Sequence, residues 1–128
     1  MARLLLDTYA LVELTRNGKH ASKVAREIRE SVEVCCSTLN LYETWYVLSR
    51  YDGDAVADTA VASIRNLARV IAPDADVCIL AARLKRDAKE KIGAVDLITA
   101  ATAIGLDAVV LTGDPHFKAI KGLKLKML

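Results

Sequence analysis

Short apolar segments alternate with longer segments of helical periodicity along the chain, and this alternation restricts the folds open to it. An apolar run without polar interruptions is typical of a strand buried on both faces, as in a parallel sheet. Segments such as Lys19–Ser31 instead repeat apolar residues with the period of an amphipathic helix. The pattern predicts an α/β fold, a three-layer α/β/α sandwich around a short, mostly parallel central sheet. Its predicted strands are Arg3–Leu6, Val32–Ser37, Val70–Ala72, Ala108–Thr112 and the half-exposed edge strand Leu123–Leu128.

Length and composition favour one self-sufficient domain over residues 1–128. With 53% hydrophobic residues, a chain of 128 residues can form a core without cross-links. Its three cysteines are too few for a disulfide framework and lack the CxxC spacing of a zinc site. Asp7 interrupts the apolar start, which disfavours a signal peptide or a membrane span. We therefore expect a reduced, cytoplasmic protein without membrane association, and its net charge of +2 is only a weak indication of nucleic-acid binding.

Four acidic residues occupy positions that a fold alone does not require. Asp7 directly follows the first predicted strand, and Asp114 stands just beyond the fourth. Asp96 lies in the first turn of Ala94–Ile104, a segment so apolar that it predicts a buried helix. Glu43 lies on the helix that follows the second strand. Ligands of open parallel sheets bind at the carboxyl ends of the strands, which makes these acids candidates for one site.

A group of carboxylates that converge in a partly buried site needs a compensating charge. Two such groups ~4 Å apart repel by about 4 kcal/mol at an effective dielectric constant near 20. No lysine or arginine stands within a few residues of Asp7, Glu43 or Asp96 on the same face to pair with them. Mg²⁺ or Mn²⁺, which prefer carboxylate and water oxygens, would remove the repulsion if the four acids meet in space.

Each acid considered alone also has a purely structural interpretation. Asp7 and Asp114 both precede predicted helical turns, where an aspartate commonly caps the helix. The helix dipole favours Asp96 in a first turn without any ligand. Glu43 alone suits a solvated helix face. The combination of all four, two of them at strand ends, favours a shared site.

Four segments that contain these acids resemble the PIN domain and, within it, the VapC-type toxin endoribonucleases of type II toxin–antitoxin systems. They occur in the order and at the separations of that family, and the similarity extends over essentially the whole chain. The segments are LLLDTYALVEL (Leu4–Leu14), STLNLYETWYVL (Ser37–Leu48), AVDLITAATA (Ala94–Ala103) and VVLTGDPHF (Val109–Phe117).

The resemblance implies a Mg²⁺-dependent endoribonuclease, with Mn²⁺ as an alternative ion, that hydrolyses RNA phosphodiester bonds. The hydroxyls that it places at Thr8 and Thr112 are expected to orient carboxylates or a water molecule. His20 and His116 are expected to be surface residues, because hard metals prefer oxygen ligands. The catalytic and metal-binding quartet of the family falls on Asp7, Glu43, Asp96 and Asp114.

The resemblance also implies an RNA substrate, a cognate antitoxin and a homodimer as partners. Core packing is the default interpretation of the aromatic cluster Tyr42, Trp45 and Tyr46, and the resemblance makes the cluster a candidate antitoxin groove. Basic residues on one helix and after the last acid are candidates for RNA contacts, with a solvated surface as the alternative. These basic residues are Arg83, Arg86, Lys89, Lys91, Lys118 and Lys121.

Three other functions compete with a toxin ribonuclease. A PIN nuclease that processes RNA outside a toxin pair would have the same site. A receiver-type signalling domain shares the length and the parallel sheet, but it would need an aspartate after its middle strand, where this chain has Thr38 and Leu39. A catalytically inactive protein-binding module is the third, and the complete acidic quartet argues against it.

Overall fold

The alternation of strands and helices is present in the computed structural model, which describes residues 2–128. The strands are β1 (Arg3–Leu6), β2 (Glu33–Ser37), β3 (Arg69–Ile71), β4 (Val109–Thr112) and β5 (Lys124–Met127). The helices are α1 (Thr8–Thr15), α2 (Ala21–Glu30), α3 (Thr38–Asp52), α4 (Asp54–Leu67), α5 (Ala75–Asp87) and α6 (Ala94–Leu106). A 3₁₀ helix, Pro115–Ala119, precedes β5. The strand ends differ from the prediction by about one residue, which is the usual uncertainty at the end of an element.

All neighbouring strands of the sheet pair in parallel, in the order β3-β2-β1-β4-β5. The chain therefore moves outward from β1 on one side to β2 and β3, and then returns to place β4 on the other side. The gap between the carboxyl ends of β1 and β4 is the switch point of the topology, where α/β sheets bind their ligands. β5 is the edge strand that the sequence predicts.

Adjacent residues of each buried strand point to opposite faces of the sheet and form two cores. Leu4 and Leu6 of β1 pack with residues of α1, α2 and α4, such as Leu11, Val24 and Ile64. Leu5 of the same strand packs on the opposite face with α5, α6 and the 3₁₀ helix. Both faces are thus covered by helices, which confirms the three-layer α/β/α class and explains the apolar run Leu4–Leu6 in the central strand β1.

Helix α6 is buried along most of its length, as its apolar sequence indicates. It extends two residues beyond the predicted end, through Gly105, and stops where Asp107 adopts a left-handed conformation with φ of 53°. Thr99 and Thr102 are buried on this helix, and each hydroxyl donates to a backbone carbonyl one turn earlier. The first turn of α6 carries Asp96 toward the carboxyl edge of the sheet.

Helix α5 ends earlier than the pattern of its basic residues predicts. Its last residue is Asp87, and Ala88 is already extended, with ψ of 135°. The connection to α6 then buries Ile92. The prediction that Lys89 and Lys91 continue the basic face of this helix is therefore wrong, and both residues lie in the connection to α6.

Among residues 2–128, no helix combines the length and the apolar character that crossing a bilayer requires.

Candidate active site

The four acids selected from the sequence line one cavity at the carboxyl edge of the sheet, beside the switch point between β1 and β4. The cavity has a volume of about 380 Å³. Its remaining walls come from α1 and from Val47 of α3. The complete lining is Asp7, Thr8, Tyr9, Val12, Glu13, Glu43, Val47, Asp96 and Asp114.

Asp7 is the most deeply buried of the four carboxylates, with 3% of its surface exposed. Its backbone N–H continues the sheet by donating to the carbonyl of Leu111, which directs the side chain over the strand ends. Oδ2 accepts a hydrogen bond of 2.7 Å from Thr112 Oγ1, whereas the buried Oδ1 has no partner among the described residues. Asp7 occupies the N-cap position of α1, but its side chain makes no capping hydrogen bond to the helix.

Burial raises the pKa of Asp7, and the hydrogen bond from Thr112, together with the nearby backbone N–H groups of Thr8 and Tyr9, opposes this effect only in part. The nearby charge of Glu43 raises the pKa further. Burial together with the negative charges of Asp7, Asp114 and Glu43 raises the pKa of Asp96 to about 7, while His116 acts in the opposite direction. Mutual repulsion of this kind requires that the four carboxylates lie close together.

Asp114 caps the 3₁₀ helix and also faces the cavity, so its structural and functional interpretations coexist. Its Oδ1 accepts from the backbone N–H of His116 at 2.9 Å, and His116 Nδ1 lies 2.9 Å from the same oxygen. His116 is exposed, as expected of a surface residue, yet its imidazole borders the site. Ligand atoms of Asp96, Asp114 and His116 lie within 4.8 Å of one another. The sequence analysis missed this proximity, although His116 follows Asp114 by two residues.

Thr8 and Thr112 both contact carboxylates of the cavity. Thr8 Oγ1 donates to Glu43 Oε1 at 2.6 Å. Thr112 Oγ1 donates to Asp7 and accepts from the backbone N–H of Asp114 at 3.0 Å. Each hydroxyl therefore holds one carboxylate in a defined orientation.

Two residues of the site were not selected from the sequence. Asn40 is fully buried and donates to Thr8 Oγ1 at 3.2 Å. Its position three residues after Ser37 is the spacing of a capping box, which is a signal in the sequence that points to a bonded side chain. Tyr9 lies so close to Gly113 that a Cβ atom on residue 113 would come within 2.4 Å of the tyrosine ring. The centroid of the Tyr9 ring lies 6.1 Å from that of the half-buried His20.

The donor set of the cavity suits a hard divalent cation. Its ligand atoms are carboxylate oxygens, the chemistry that Mg²⁺ and Mn²⁺ prefer. Among residues 2–128, Asp7, Glu43 and Asp96 form no ion pair with a basic side chain. The unpartnered Oδ1 of Asp7 and the raised pKa of Asp96 both indicate a charge that a cation would compensate.

The aromatic cluster of α3 does not pack in the core. The exposed fractions are 64% for Tyr42, 37% for Trp45 and 50% for Tyr46, so the default prediction of core packing is wrong. Trp45 Nε1 donates to Asp58 of α4 at 2.9 Å, and the guanidinium of Arg50 lies over the Tyr46 ring. The three rings form an aromatic surface beside the cavity wall that α3 supplies.

The six basic candidates are all exposed on the protein surface. Arg86 pairs with Asp87 at 2.9 Å, which makes it a weaker candidate for a phosphate contact than the others. None of the six lines the carboxylate cavity, so any contact with RNA would be made around its mouth.

The model of the PIN domain family matches residues 4–123. The chain belongs to the PIN domain family. This membership overturns the receiver-domain alternative. The PIN match spans β1 through the 3₁₀ helix and therefore includes all four carboxylates of the cavity.

Several solved structures have a similar fold. VapBC2 from Rickettsia felis, bound to a promoter DNA fragment, matches with a TM-score of 0.83 and 19% identity, over 98% of each chain. DNA-bound VapBC from Salmonella typhimurium has a TM-score of 0.80 and 21% identity, over 99% of this chain and 98% of the other. Mycobacterium tuberculosis VapC20, a sarcin-ricin loop cleaving toxin, has a TM-score of 0.77 and 25% identity, over 91% and 93%. No curated protein matches the chain.

Proposed function

We propose that this PIN domain is a metal-dependent endoribonuclease and the toxin of a toxin–antitoxin pair. The observation that carries the proposal is the meeting of four carboxylates in one cavity, three of them without an ion pair among the described residues. Membership of the PIN family and the fold shared with VapC structures support it. In this proposal Asp7, Glu43, Asp96 and Asp114 hold Mg²⁺ or Mn²⁺.

The residues of the cavity have distinct tasks in this proposal. A bound ion would activate water and stabilise the charge that develops on the scissile phosphate. Thr112 orients Asp7 through Oδ2 and leaves the unpartnered Oδ1 for the ion. Thr8 orients Glu43 in the same way. Because the pKa of Asp96 is about 7, this carboxyl must lose a proton before it can serve as a ligand near neutral pH.

The buried cysteines of β2 are unsuited to act as nucleophiles. Burial raises the pKa of Cys35 to about 11 and that of Cys36 to about 12. Both thiols therefore stay protonated at neutral pH, and neither lines the carboxylate cavity. This leaves the carboxylates as the chemical groups of the site.

The proposed substrate is RNA, in accordance with the VapC20 structure, whose protein cleaves the sarcin-ricin loop. The exposed side chains of Arg83, Lys89, Lys91, Lys118 and Lys121 would contact phosphates around the cavity. Lys91 is the best placed in sequence, because it lies five residues before Asp96 in the connection to α6. RNA binding should accordingly weaken with added salt.

The proposed protein partners are a cognate antitoxin and a second copy of the chain, in the cytoplasm. VapBC structures with the same fold contain both toxin and antitoxin. The exposed rings of Tyr42, Trp45 and Tyr46 form an apolar surface of the kind that a partner helix or segment covers. We assign this surface to the antitoxin.

The test combines metal binding with cleavage in the wild-type chain and the variant Asp7→Asn. For the wild type, millimolar Mg²⁺ or Mn²⁺ should raise the melting temperature, EDTA should reverse the rise, and RNA should be cleaved. Asp7→Asn should fold but lose both the cleavage and most of the metal-induced rise. The control is Asp107→Asn at an exposed site, where asparagine also tolerates the left-handed conformation.

Two results would count against the proposal. Undiminished cleavage by Asp7→Asn would remove Asp7 from the catalytic set. A wild-type melting temperature that does not respond to metal would contradict a metal site in the cavity.

Suppression of the cleavage by the product of an adjacent small gene would distinguish a toxin from an RNA-processing nuclease.

A further inference from the structure

We propose that Asn40 is a positioning residue that sets the direction of a hydrogen-bond chain through Thr8 and thereby holds Glu43 in place for the cation. This inference rests on the proposed function, because it concerns how the same site is built. Asn40 lies on α3 one turn before Glu43 and is fully buried. It does not line the carboxylate cavity, so it acts through Thr8 and not on the ion itself.

The orientation of the Asn40 amide is determined by its partners. The backbone N–H of Ser37 donates to Asn40 Oδ1 at 3.0 Å. Because a backbone N–H can only donate, the amide oxygen must face Ser37 and the amide nitrogen must face the other way. The two N–H groups of Nδ2 then reach Thr8 Oγ1 at 3.2 Å and Thr99 Oγ1 at 3.1 Å.

The hydroxyl oxygens of the two threonines accept hydrogen bonds from Asn40, so each hydroxyl hydrogen must point away from Asn40, toward another acceptor. Thr99 Oγ1 donates to the carbonyl of Val95 at 2.7 Å. Thr8 Oγ1 donates to Glu43 Oε1 at 2.6 Å, a short distance typical of a hydrogen bond to a charged acceptor. The hydrogen-bond chain therefore runs in one direction, from the Asn40 amide through Thr8 to Glu43. It leaves the second oxygen of Glu43 for a cation.

Asn40 also connects the three helices that position the carboxylates. It belongs to α3 with Glu43, it bonds Thr8 at the start of α1 beside Asp7, and it bonds Thr99 of α6, one turn after Asp96. A buried amide with every donor and acceptor in use is rigid, because each alternative rotamer leaves a polar group without a partner. The position of Asn40 therefore couples the spacing of the helices to the orientation of Glu43.

The variants distinguish the effect of the hydrogen-bond direction from the effect of filling the buried position with a side chain of the same shape. Asn40→Asp keeps the shape but replaces the two donors with acceptors, so the Thr8 hydroxyl is drawn away from Glu43. Thr8→Val removes the hydroxyl and keeps the shape of the side chain, whereas Thr8→Ser keeps the hydroxyl. Thr99→Val is the matched control, since it removes the other acceptor of Asn40 and leaves the path to Glu43 intact.

The experiment measures Mn²⁺ affinity of the full chain by calorimetry, together with the melting temperature without metal and steady-state RNA cleavage. Loss of an outer hydrogen-bond partner of a metal ligand typically costs 10–100-fold in affinity. We expect Asn40→Asp and Thr8→Val to bind Mn²⁺ at least ~10-fold more weakly and to lower kcat with little change in KM. Thr8→Ser should bind nearly as the wild type does. Thr99→Val should lower the melting temperature but leave the Mn²⁺ affinity within about twofold, because its path to Glu43 is unbroken.

Wild-type Mn²⁺ affinity in Asn40→Asp and Thr8→Val, or an equal loss in Thr99→Val, would overturn the inference while leaving the proposed function intact. If the wild type binds no Mn²⁺, the proposed function fails, and the inference fails with it. If Asn40→Asp does not fold, the comparison of Thr8→Val with Thr8→Ser decides the matter.

Discussion

At the scale of single residues, the site is defined by charge that the protein does not compensate. Asp7 is buried with one oxygen bonded to Thr112 and the other without a partner among the described residues. A buried carboxylate of this kind is destabilising unless a cation or a proton neutralises it. Asp96 has a pKa of about 7, so either a proton or a cation can neutralise its carboxyl near physiological pH.

Stability of the metal-free protein should depend on pH through Asp96. Its pKa rises from an ordinary value of 3.8 in the unfolded chain to about 7 in the folded one, chiefly because of burial and then the neighbouring acids. The folded state therefore holds the proton more tightly, and stability present below about pH 4 is lost as the pH rises through about 7. In EDTA, we expect the melting temperature to fall between about pH 5 and pH 8.

The control for this pH dependence is Asp96→Asn, whose melting temperature should fall less over the same pH range. Some fall should remain, because the pKa of Asp7 is also raised. Asp107→Asn should keep the full fall, since Asp107 is exposed and a hydrogen bond from Lys124 lowers its pKa. A melting temperature that stays level or rises over this range would contradict the assignment of Asp96.

At the scale of elements, the site depends on close contact between the loops that follow β1 and β4. Asp7 forms the first connection, with Tyr9 in the first turn of α1 directly after it, and Gly113 and Asp114 belong to the second connection. The Tyr9 ring occupies the space that a side chain at position 113 would need. Glycine at 113 therefore permits the approach of α1 to the loop that carries Asp114.

Gly113→Ala should destabilise the protein and weaken metal binding together. Its Cβ atom would lie 2.4 Å from Tyr9 Cε1, so the ring or the loop must move. We expect a loss of about 1–3 kcal/mol in unfolding free energy, as for other overpacked sites, measured by urea denaturation. The melting-temperature rise with Mn²⁺ should shrink as Asp114 is displaced.

The matched control is Gly105→Ala. Gly105 lies within α6, and a Cβ atom there would meet nothing within 4 Å. Alanine should stabilise this helix by roughly 0.5–1 kcal/mol and leave metal binding unchanged. Equal behaviour of the two glycine variants would show that the contact between Tyr9 and Gly113 does not matter to the site.

At the scale of the whole molecule, the two surfaces proposed to be functional are the cavity and the exposed face of α3. That face carries aromatic rings whose exposure no internal contact explains, notably Tyr42 at 64%. Surface rings of this kind, next to the proposed catalytic cavity, suit a partner that binds and silences the enzyme. The two surfaces should therefore respond separately to substitution.

The double variant Tyr42→Ala and Tyr46→Ala should weaken binding of the antitoxin at least ~10-fold, because it removes two exposed aromatic contacts of the proposed interface. Its Mn²⁺-induced rise in melting temperature should match that of the wild type. Tyr51→Ala is the control on the same helix, where the ring is 69% exposed and lies under the guanidinium of Arg16. Equal antitoxin affinity of the double variant and the wild type would place the interface elsewhere.

Much of the fold was predictable because its signals are local. A run such as Leu4–Leu6 requires a strand buried on both faces, whatever else the chain contains. The apolar sequence of α6 likewise requires burial. The helical period of α5 was less informative at its end, since the helix stops at Asp87 although basic residues continue at Lys89 and Lys91.

The candidate site was predictable as a set of acids but not as an arrangement. Strand ends give the positions of Asp7 and Asp114, because parallel strands finish at one edge of a sheet. The capping-box spacing points to Asn40, but its contacts with Thr8 and Thr99 depend on how α1, α3 and α6 pack, as does the proximity of His116 to Asp96. The roles assigned to the four carboxylates remain predictions until metal binding and cleavage are measured.

The amino-acid sequence by itself determined the alternation of strands and helices and the acids at the strand ends, because apolar periodicity acts over a few residues at a time. Only the tertiary structure decided which strand lies beside β1, which rings of α3 remain exposed, and which side chain bonds Thr8. These outcomes depend on residues far apart in the chain; Asn40, for example, bonds Thr8 at a separation of 32 residues and Thr99 at a separation of 59. Contacts of that range are fixed by the packing of whole elements, and no local pattern encodes them.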